Sequence, residues 1–159
     1  TIRMKKFIYL DIDGVLSLGS EIHPRLTEWG YVYRFNAKAV NVLNEILENT
    51  NADIIISSDW KLHYSLKDLK NIFEWQGVIK VPIDITKTLP FAQHQLVEEE
   101  RAKEILNHME TYRPGCWVAV DDFNLQTWIS TDHFVHTPKF MEGIKQTGKK
   151  EEIIKKLIK

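Results

Sequence analysis

Phe7-Ile8-Tyr9-Leu10-Asp11-Ile12-Asp13-Gly14-Val15-Leu16 is the stretch that decides the fold. An apolar run of strand length stops abruptly at two carboxylates and a glycine. In open α/β sheets, ligands bind where loops leave the carboxyl ends of the strands, so this layout reads as an active site. The i, i+2 spacing lets Asp11 and Asp13 reach one small volume, and Gly14 permits the tight turn after them. Two like charges held that close repel unless a hard cation sits between them, which makes Mg²⁺ the inferred ion. One carboxylate is then free to attack phosphorus while the other handles protons.

Asp-x-Asp-Gly alone also occurs in calcium loops, but an EF-hand needs further acidic ligands and a closing Glu. Val15, Leu16 and Leu18 stand in those places instead. Two more strand ends add the specificity. Ala52-Asp53-Ile54-Ile55-Ile56-Ser57-Ser58-Asp59-Trp60 carries three β-branched residues suited to a strand buried on both faces. It ends in two hydroxyls able to donate to a phosphoryl oxygen. Trp117-Val118-Ala119-Val120-Asp121-Asp122 is again an apolar run ending in carboxylates. Three such strands with helical patterns between them predict a parallel sheet with its chemistry along one edge.

In this combination the chain resembles the haloacid dehalogenase (HAD) superfamily of aspartate-nucleophile phosphohydrolases. Asp11 to Leu16 is similar to the first motif, Ile54 to Ser57 to the second and Val118 to Asp122 to the fourth. Order and approximate spacing also match, and the motifs cover most of the chain. Ser57-Ser58-Asp59-Trp60-Lys61 and Arg101-Ala102-Lys103-Glu104-Ile105 look most like the small, nearly capless members, some of them linked to nucleotide or nucleic-acid end processing. The resemblance implies an α/β, three-layer Rossmann-like fold: a central parallel sheet, helices on both faces and a minimal cap.

The resemblance also implies roles. Asp11 would attack phosphorus and form an aspartyl-phosphate, and Asp13 would act as acid and then base. Mg²⁺ would be held by the Asp11 carboxylate, the Asp13 backbone carbonyl and Asp122, with Asp121 orienting water or a ligand behind them. Ser57 and a third-motif cation would balance the charge on the transferring group. That cation is Arg101 or Lys103. They lie two residues apart on a helix and cannot both face the site. The Arg-x-x-Glu-Ile pattern favours Arg101, and the superfamily's usual lysine favours Lys103.

Composition agrees with one domain over residues 1–159. A net charge of −1 gives no overall drive toward nucleic acid or membrane. No apolar stretch approaches the roughly 20 residues that span a bilayer, and the first residues lack a signal-peptide core. A lone Cys116 excludes an internal disulfide and fits a reducing cytoplasm. It precedes a core strand and reads as a buried thiol. Met4 reads as a candidate start.

Between the motifs, Asn36 is expected to cap a helix with Ala39, Val40, Leu43, Ile46 and Leu47 on its apolar face. Ser65 and Asp68 resemble a capping box for a second helix ended by Gly77. A third helix is expected from about Val97 to Met109, and a basic amphipathic one from about Lys149. Val78 to Ile85 reads as strand-like, and His133 to His136 as a short strand whose histidines do not share a face, which argues against a metal site.

Residues 17–35 have room for a flap carrying Trp29, Tyr31 and Tyr33, but not for a folded cap. An uncovered site suits a substrate that brings its own bulk, such as a nucleotide, a short nucleic-acid end or a phosphoprotein. Ser58, Trp60 and Lys61 are the candidate substrate contacts, with Trp60 either stacking on a base or packing beneath the loop. Two alternatives stay open at this stage: a general small-metabolite or phosphoprotein phosphatase, and a HAD-like binding or regulatory module without turnover. The complete set of Asp11, Asp13, Asp121 and Asp122 argues against the latter.

Overall fold

The computed structural model describes residues 4–19, 23–90 and 92–158. Strands β1 (Lys6–Leu10), β4 (Asp53–Ile56), β5 (Asp84–Ile85), β6 (Cys116–Asp121) and β7 (Phe134–His136) form a five-stranded sheet in the order β5-β4-β1-β6-β7. All four pairings are parallel. The chain moves from β1 outward to β4 and β5, then returns to β6 on the other side. The topological switch therefore lies between β1 and β6, where such sheets open a ligand crevice.

Because strand side chains alternate, the sheet divides its residues between two cores. Ile8, Leu10, Ile54, Ile56, Val118, Val120 and Val135 face a core shared with three helices: α1 (Ala37–Thr50), α2 (Leu66–Trp75) and α4 (Lys149–Leu157). Phe7, Tyr9, Ile55, Trp117, Ala119 and Phe134 face the other, with Ala102 and Ile105 of α3 (Val97–Tyr112). Helices cover both faces, as the α/β reading requires. The central strands are apolar throughout because neither face meets water.

Local signals explain the helix ends. The Asn36 side chain accepts from the Ala39 amide, and Asn51 closes α1 in a left-handed conformation. Ser65 accepts from the Asp68 amide at the start of α2. Helix α3 runs one turn beyond the expected Met109, ending where Arg113 turns left-handed and donates to the Met109 carbonyl. Ile153 and Leu157 bury one face of α4, while Ile158 lies exposed.

One expected strand is much shorter. Of Val78 to Ile85, only Asp84–Ile85 pairs with β4. Pro82 has no N–H to give a ladder, and the Lys80 ammonium is bound to the Asn51 and Ala52 carbonyls and to Asp53. Within the expected flap, β2 (Arg25–Thr27) and β3 (Gly30–Val32) form an antiparallel hairpin. Residues 20–22 of that flap and residues 1–3 lie outside the described residues. No described helix is long and apolar enough to cross a membrane.

Candidate active site

Register builds the site. Leu10 pairs with Ile56 on one side and Val120 on the other, so the next residues, Asp11, Ser57 and Asp121, emerge at one level. The ladder continues one step past the strands: the Asp11 amide donates to the Val120 carbonyl (3.1 Å) and the Ser57 amide to the Leu10 carbonyl (2.9 Å). Nucleophile candidate, hydroxyl and carboxylate are thus fixed by backbone hydrogen bonds.

Beyond Asp11 the chain turns sharply. The amides of Val15, Leu16 and Ser17 all point at the Ile12 carbonyl, and Gly14 has a φ of +78°. A β-carbon at Gly14 would lie 2.5 Å from an Asp122 carboxylate oxygen, so glycine is required both for the turn and for the space Asp122 occupies. Thr137 donates its hydroxyl to the Gly14 carbonyl at 3.1 Å, and His136 Nε2 lies 2.9 Å from the Asp122 carbonyl. His136 at the end of β7 and Thr137 after it thereby brace both acidic turns.

Carboxylate oxygens of Asp11, Asp121 and Asp122 lie within 4.8 Å of one another, the group among the described residues able to hold a metal ion. Asp121 already accepts from the Phe123 amide (3.0 Å) and from the Arg101 guanidinium (2.8 Å). Asp11 and Asp122 are less committed. The electrostatics favour a cation among these oxygens: burial first, and then the Asp121 charge, push the Asp11 carboxyl well above its ordinary range, with Arg101 only partly opposing them. Burial likewise pushes Asp121 up to about 6 against the pull of Arg101. A divalent ion among these oxygens would reverse that logic. The donor set is all-oxygen and hard, which fits Mg²⁺.

Arg101 and Lys103 part company here. Arg101 is buried on α3 and reaches Asp11 (3.3 Å), Asp121 (2.8 Å) and Asp59 (3.5 Å), with its guanidinium over the Phe123 ring. Burial works against its charge, yet Asp121 and Asp11 hold its pKa above the usual value. Lys103 points to solvent and pairs with Glu99 one turn away. The third-motif candidate is therefore Arg101, and Lys103 is corrected to a surface residue.

The expected substrate contacts fare differently. Ser57 is buried, and its Oγ has no hydrogen-bond partner. That leaves a buried hydroxyl donor beside the carboxylate cluster with no protein partner. The Ser58 hydroxyl instead accepts from the Trp60 amide, capping the short turn Asp59–Leu62. The Lys61 ammonium is enclosed, ion-paired with Glu104 and bonded to the Thr86 carbonyl and hydroxyl. It ties the β4 loop to α3 and is not available to a substrate.

Trp60 does not present its ring for stacking. It is 7 % exposed, packed between Phe35 and Tyr64, and its indole N–H donates to Asp13 Oδ1 at 3.1 Å. Partial desolvation raises the Asp13 carboxyl above its usual range, Trp60 pulls it back down, and Asp122 and Asp59 raise it further. A carboxyl raised in this way keeps its proton more readily than a fully solvated one. Glu104 and His136 carry no sequence signal for a part in the site, whereas Asp59 lies inside the second-motif stretch.

His133 and His136 do not converge. His133 bonds the Trp117 carbonyl and stacks on the Trp117 ring. Cys116 is buried at the start of β6.

The family described as the HAD domain in Swiss Army Knife RNA repair proteins matches residues 7–147. The chain belongs to this family. Its match runs from β1 past β7 and takes in every strand end described above. No curated protein and no solved structure matches the chain.

Proposed function

We propose that this HAD domain is a Mg²⁺-dependent phosphomonoesterase that removes terminal phosphate from nucleotides or nucleic-acid ends through an aspartyl-phosphate on Asp11. The supporting observation is Asp11 beside the unpartnered Ser57 hydroxyl at one level of the sheet, with Arg101 reaching Asp11 from α3. Together they offer a nucleophile, a neutral donor and a fixed cation to one phosphoryl group. The family's occurrence in RNA repair proteins supports nucleic-acid phosphate as the substrate. We place the reaction in the cytoplasm, where a buried thiol such as Cys116 stays reduced.

Asp11 attacks phosphorus with a carboxylate oxygen, and the bond to the leaving oxygen breaks as Asp13 delivers its proton there. Asp13, now ionised, takes a proton from water as that water attacks the aspartyl-phosphate. Phosphate leaves and Asp11 is regenerated. Ser57 and Arg101 stabilise charge on the phosphoryl oxygens throughout, and their fixed positions mean little reorganisation at the moment of reaction. Asp11 and Asp122, with Asp121 behind them, would hold the cation, whose contribution when bound is to neutralise charge between nucleophile and phosphate. Trp60 holds Asp13 in place.

The test is a phosphate-release screen with Mg²⁺ or EDTA over mononucleotides, 3′- and 5′-phosphorylated oligonucleotides, sugar phosphates and phosphopeptides. Mg²⁺-dependent release from the nucleotide or oligonucleotide set is expected. Release from none of these esters would overturn the proposal.

A further inference from the structure

Beside Asp13 the site continues into a half-open cleft. A cavity of about 250 Å³ begins at Asp13 and is walled by aromatic rings. Trp60 and Tyr64 form its inner part, with ring centroids 5.6 Å apart. Tyr31 and Tyr33 line it from the hairpin side and remain 67 % and 44 % exposed. Exposed tyrosines on a short hairpin do little for the core, and burying them requires something to enter the cavity.

The hairpin segment is also held in place. Tyr64 donates its hydroxyl to the Tyr31 carbonyl (3.2 Å), and Gln76 donates to the Tyr33 carbonyl (2.9 Å) while accepting from the Phe35 amide. Trp29 packs on Trp75 of α2, and Arg34 lies over the same ring. The aromatic wall is thus preorganised, which lowers the cost of ordering it around a ligand.

From this geometry we infer that the cavity is a leaving-group subsite for one nucleoside, whose base stacks on Tyr31 and Tyr33. The inference rests on the phosphatase reading in one respect: Asp13 is taken as the proton donor to the leaving oxygen. The group that departs must then occupy the space beside Asp13. The cavity lies below the 300–1,000 Å³ typical of drug-sized sites, so it takes one ring system and not a run of nucleotides. Its polar end carries two carboxylates, Asp13 and Asp59, and His63 is the one basic side chain lining it among the described residues. A second phosphate is therefore disfavoured there, and the subsite suits an uncharged nucleoside portion. Any continuing strand must run outward, past the hairpin.

Two measurements test this. The first compares kcat/KM for a nucleoside monophosphate with that for ribose 5-phosphate, which offers a sugar leaving group without a base. Stacking predicts a preference of roughly 10- to 100-fold for the nucleotide. That ratio should collapse toward one in Tyr31→Ala/Tyr33→Ala, mainly through KM, and persist in Tyr31→Phe/Tyr33→Phe, which keeps the rings. The second is independent of turnover: quenching of intrinsic fluorescence by a nucleoside monophosphate in EDTA, expected in the wild type and weakened in the double alanine variant. Equal turnover of the nucleotide and ribose 5-phosphate would overturn the subsite and leave the phosphatase reading intact. Preference for a phosphotyrosine peptide would reassign the cavity to a phenol ring. Quenching without any ester hydrolysis would overturn both the phosphatase reading and the leaving-group role, leaving a nucleoside-binding cavity, and absence of both quenching and nucleotide preference would overturn the subsite alone.

Discussion

Trp60→Phe isolates the one hydrogen bond that links the buried aromatic core to the proposed acid. A phenyl ring retains most of the packing against Phe35 and Tyr64 but carries no donor for Asp13. A hydrogen bond to a charged group contributes roughly 1.5–3 kcal/mol. Asp13 is open to water, which takes over part of that role, so about 1 kcal/mol is the expected net loss. At 1.36 kcal/mol per pKa unit, this corresponds to about 0.7 unit. The direction is upward, because the indole N–H favours the ionised form and its removal favours the acid. Phosphorylation of Asp11 needs Asp13 protonated, so the alkaline limb of kcat/KM should move to higher pH by about that amount. The assay is a pH profile on a nucleotide, whose alkoxide leaving group needs a proton, beside p-nitrophenyl phosphate, whose leaving group does not. The limb should move for the nucleotide and much less for the aryl ester. An unmoved or downward-shifted limb, in a variant that is folded by circular dichroism, would refute the role given to Trp60.

Other outcomes follow from the same geometry. Trp60→Ala removes the packing as well and should cost about 3–5 kcal/mol of stability in a urea titration, so its defect will not be confined to KM. Asp11→Asn should abolish turnover yet raise the melting temperature in EDTA at pH 7.5. The folded-state pKa of Asp11 is raised, so the stability present below its unfolded pKa is lost as pH rises through the folded value, and an amide escapes that loss. At pH 3 the two proteins should melt alike, and a less stable variant at pH 7.5 would contradict the electrostatic reading. Gly14→Ala forces a left-handed alanine, costing about 1–2 kcal/mol, and displaces Asp122, so phosphatase activity should fall more than Mg²⁺-free stability does. Lys61→Met strands the buried Glu104 carboxylate and should destabilise by about 3–5 kcal/mol, whereas Lys103→Ala should change stability by less than about 0.5 kcal/mol.

What the sequence disclosed and what it withheld divide along physical lines. Strands buried on both faces and ending in Asp11, Ser57 and Asp121 are local patterns, and in-register parallel pairing turns those three ends into one site. The Asn36 and Ser65 caps are equally local. Periodicity marks α3 and its buried Ala102 and Ile105, but not the Arg101, Glu104 and His108 that share the same buried face, because hydrophobic spacing carries no signal for charged members. That mixture also leaves Arg101 and Lys103 equivalent by pattern, and the docking of the helix separates them. The partners of Glu104 and His108 lie far away in the chain: Lys61 for the first, Tyr9 and Asp84 for the second. No spacing rule reaches such pairs. Trp60 has two readings because a tryptophan after a strand end serves equally well as a stacking platform or as core, and its packing against Phe35 and Tyr64 decides for the core.

The most direct test of the account is whether Asp11 becomes phosphorylated. Protein mixed with Mg²⁺ and a nucleotide substrate, quenched in acid within one turnover and digested, can be read by peptide mass spectrometry. The account predicts one phosphoryl group on the peptide containing Asp11, appearing before free phosphate and missing from Asp11→Asn. Full turnover in the wild type with no phosphoryl group on that peptide at any time, or undiminished turnover in Asp11→Asn, would contradict it.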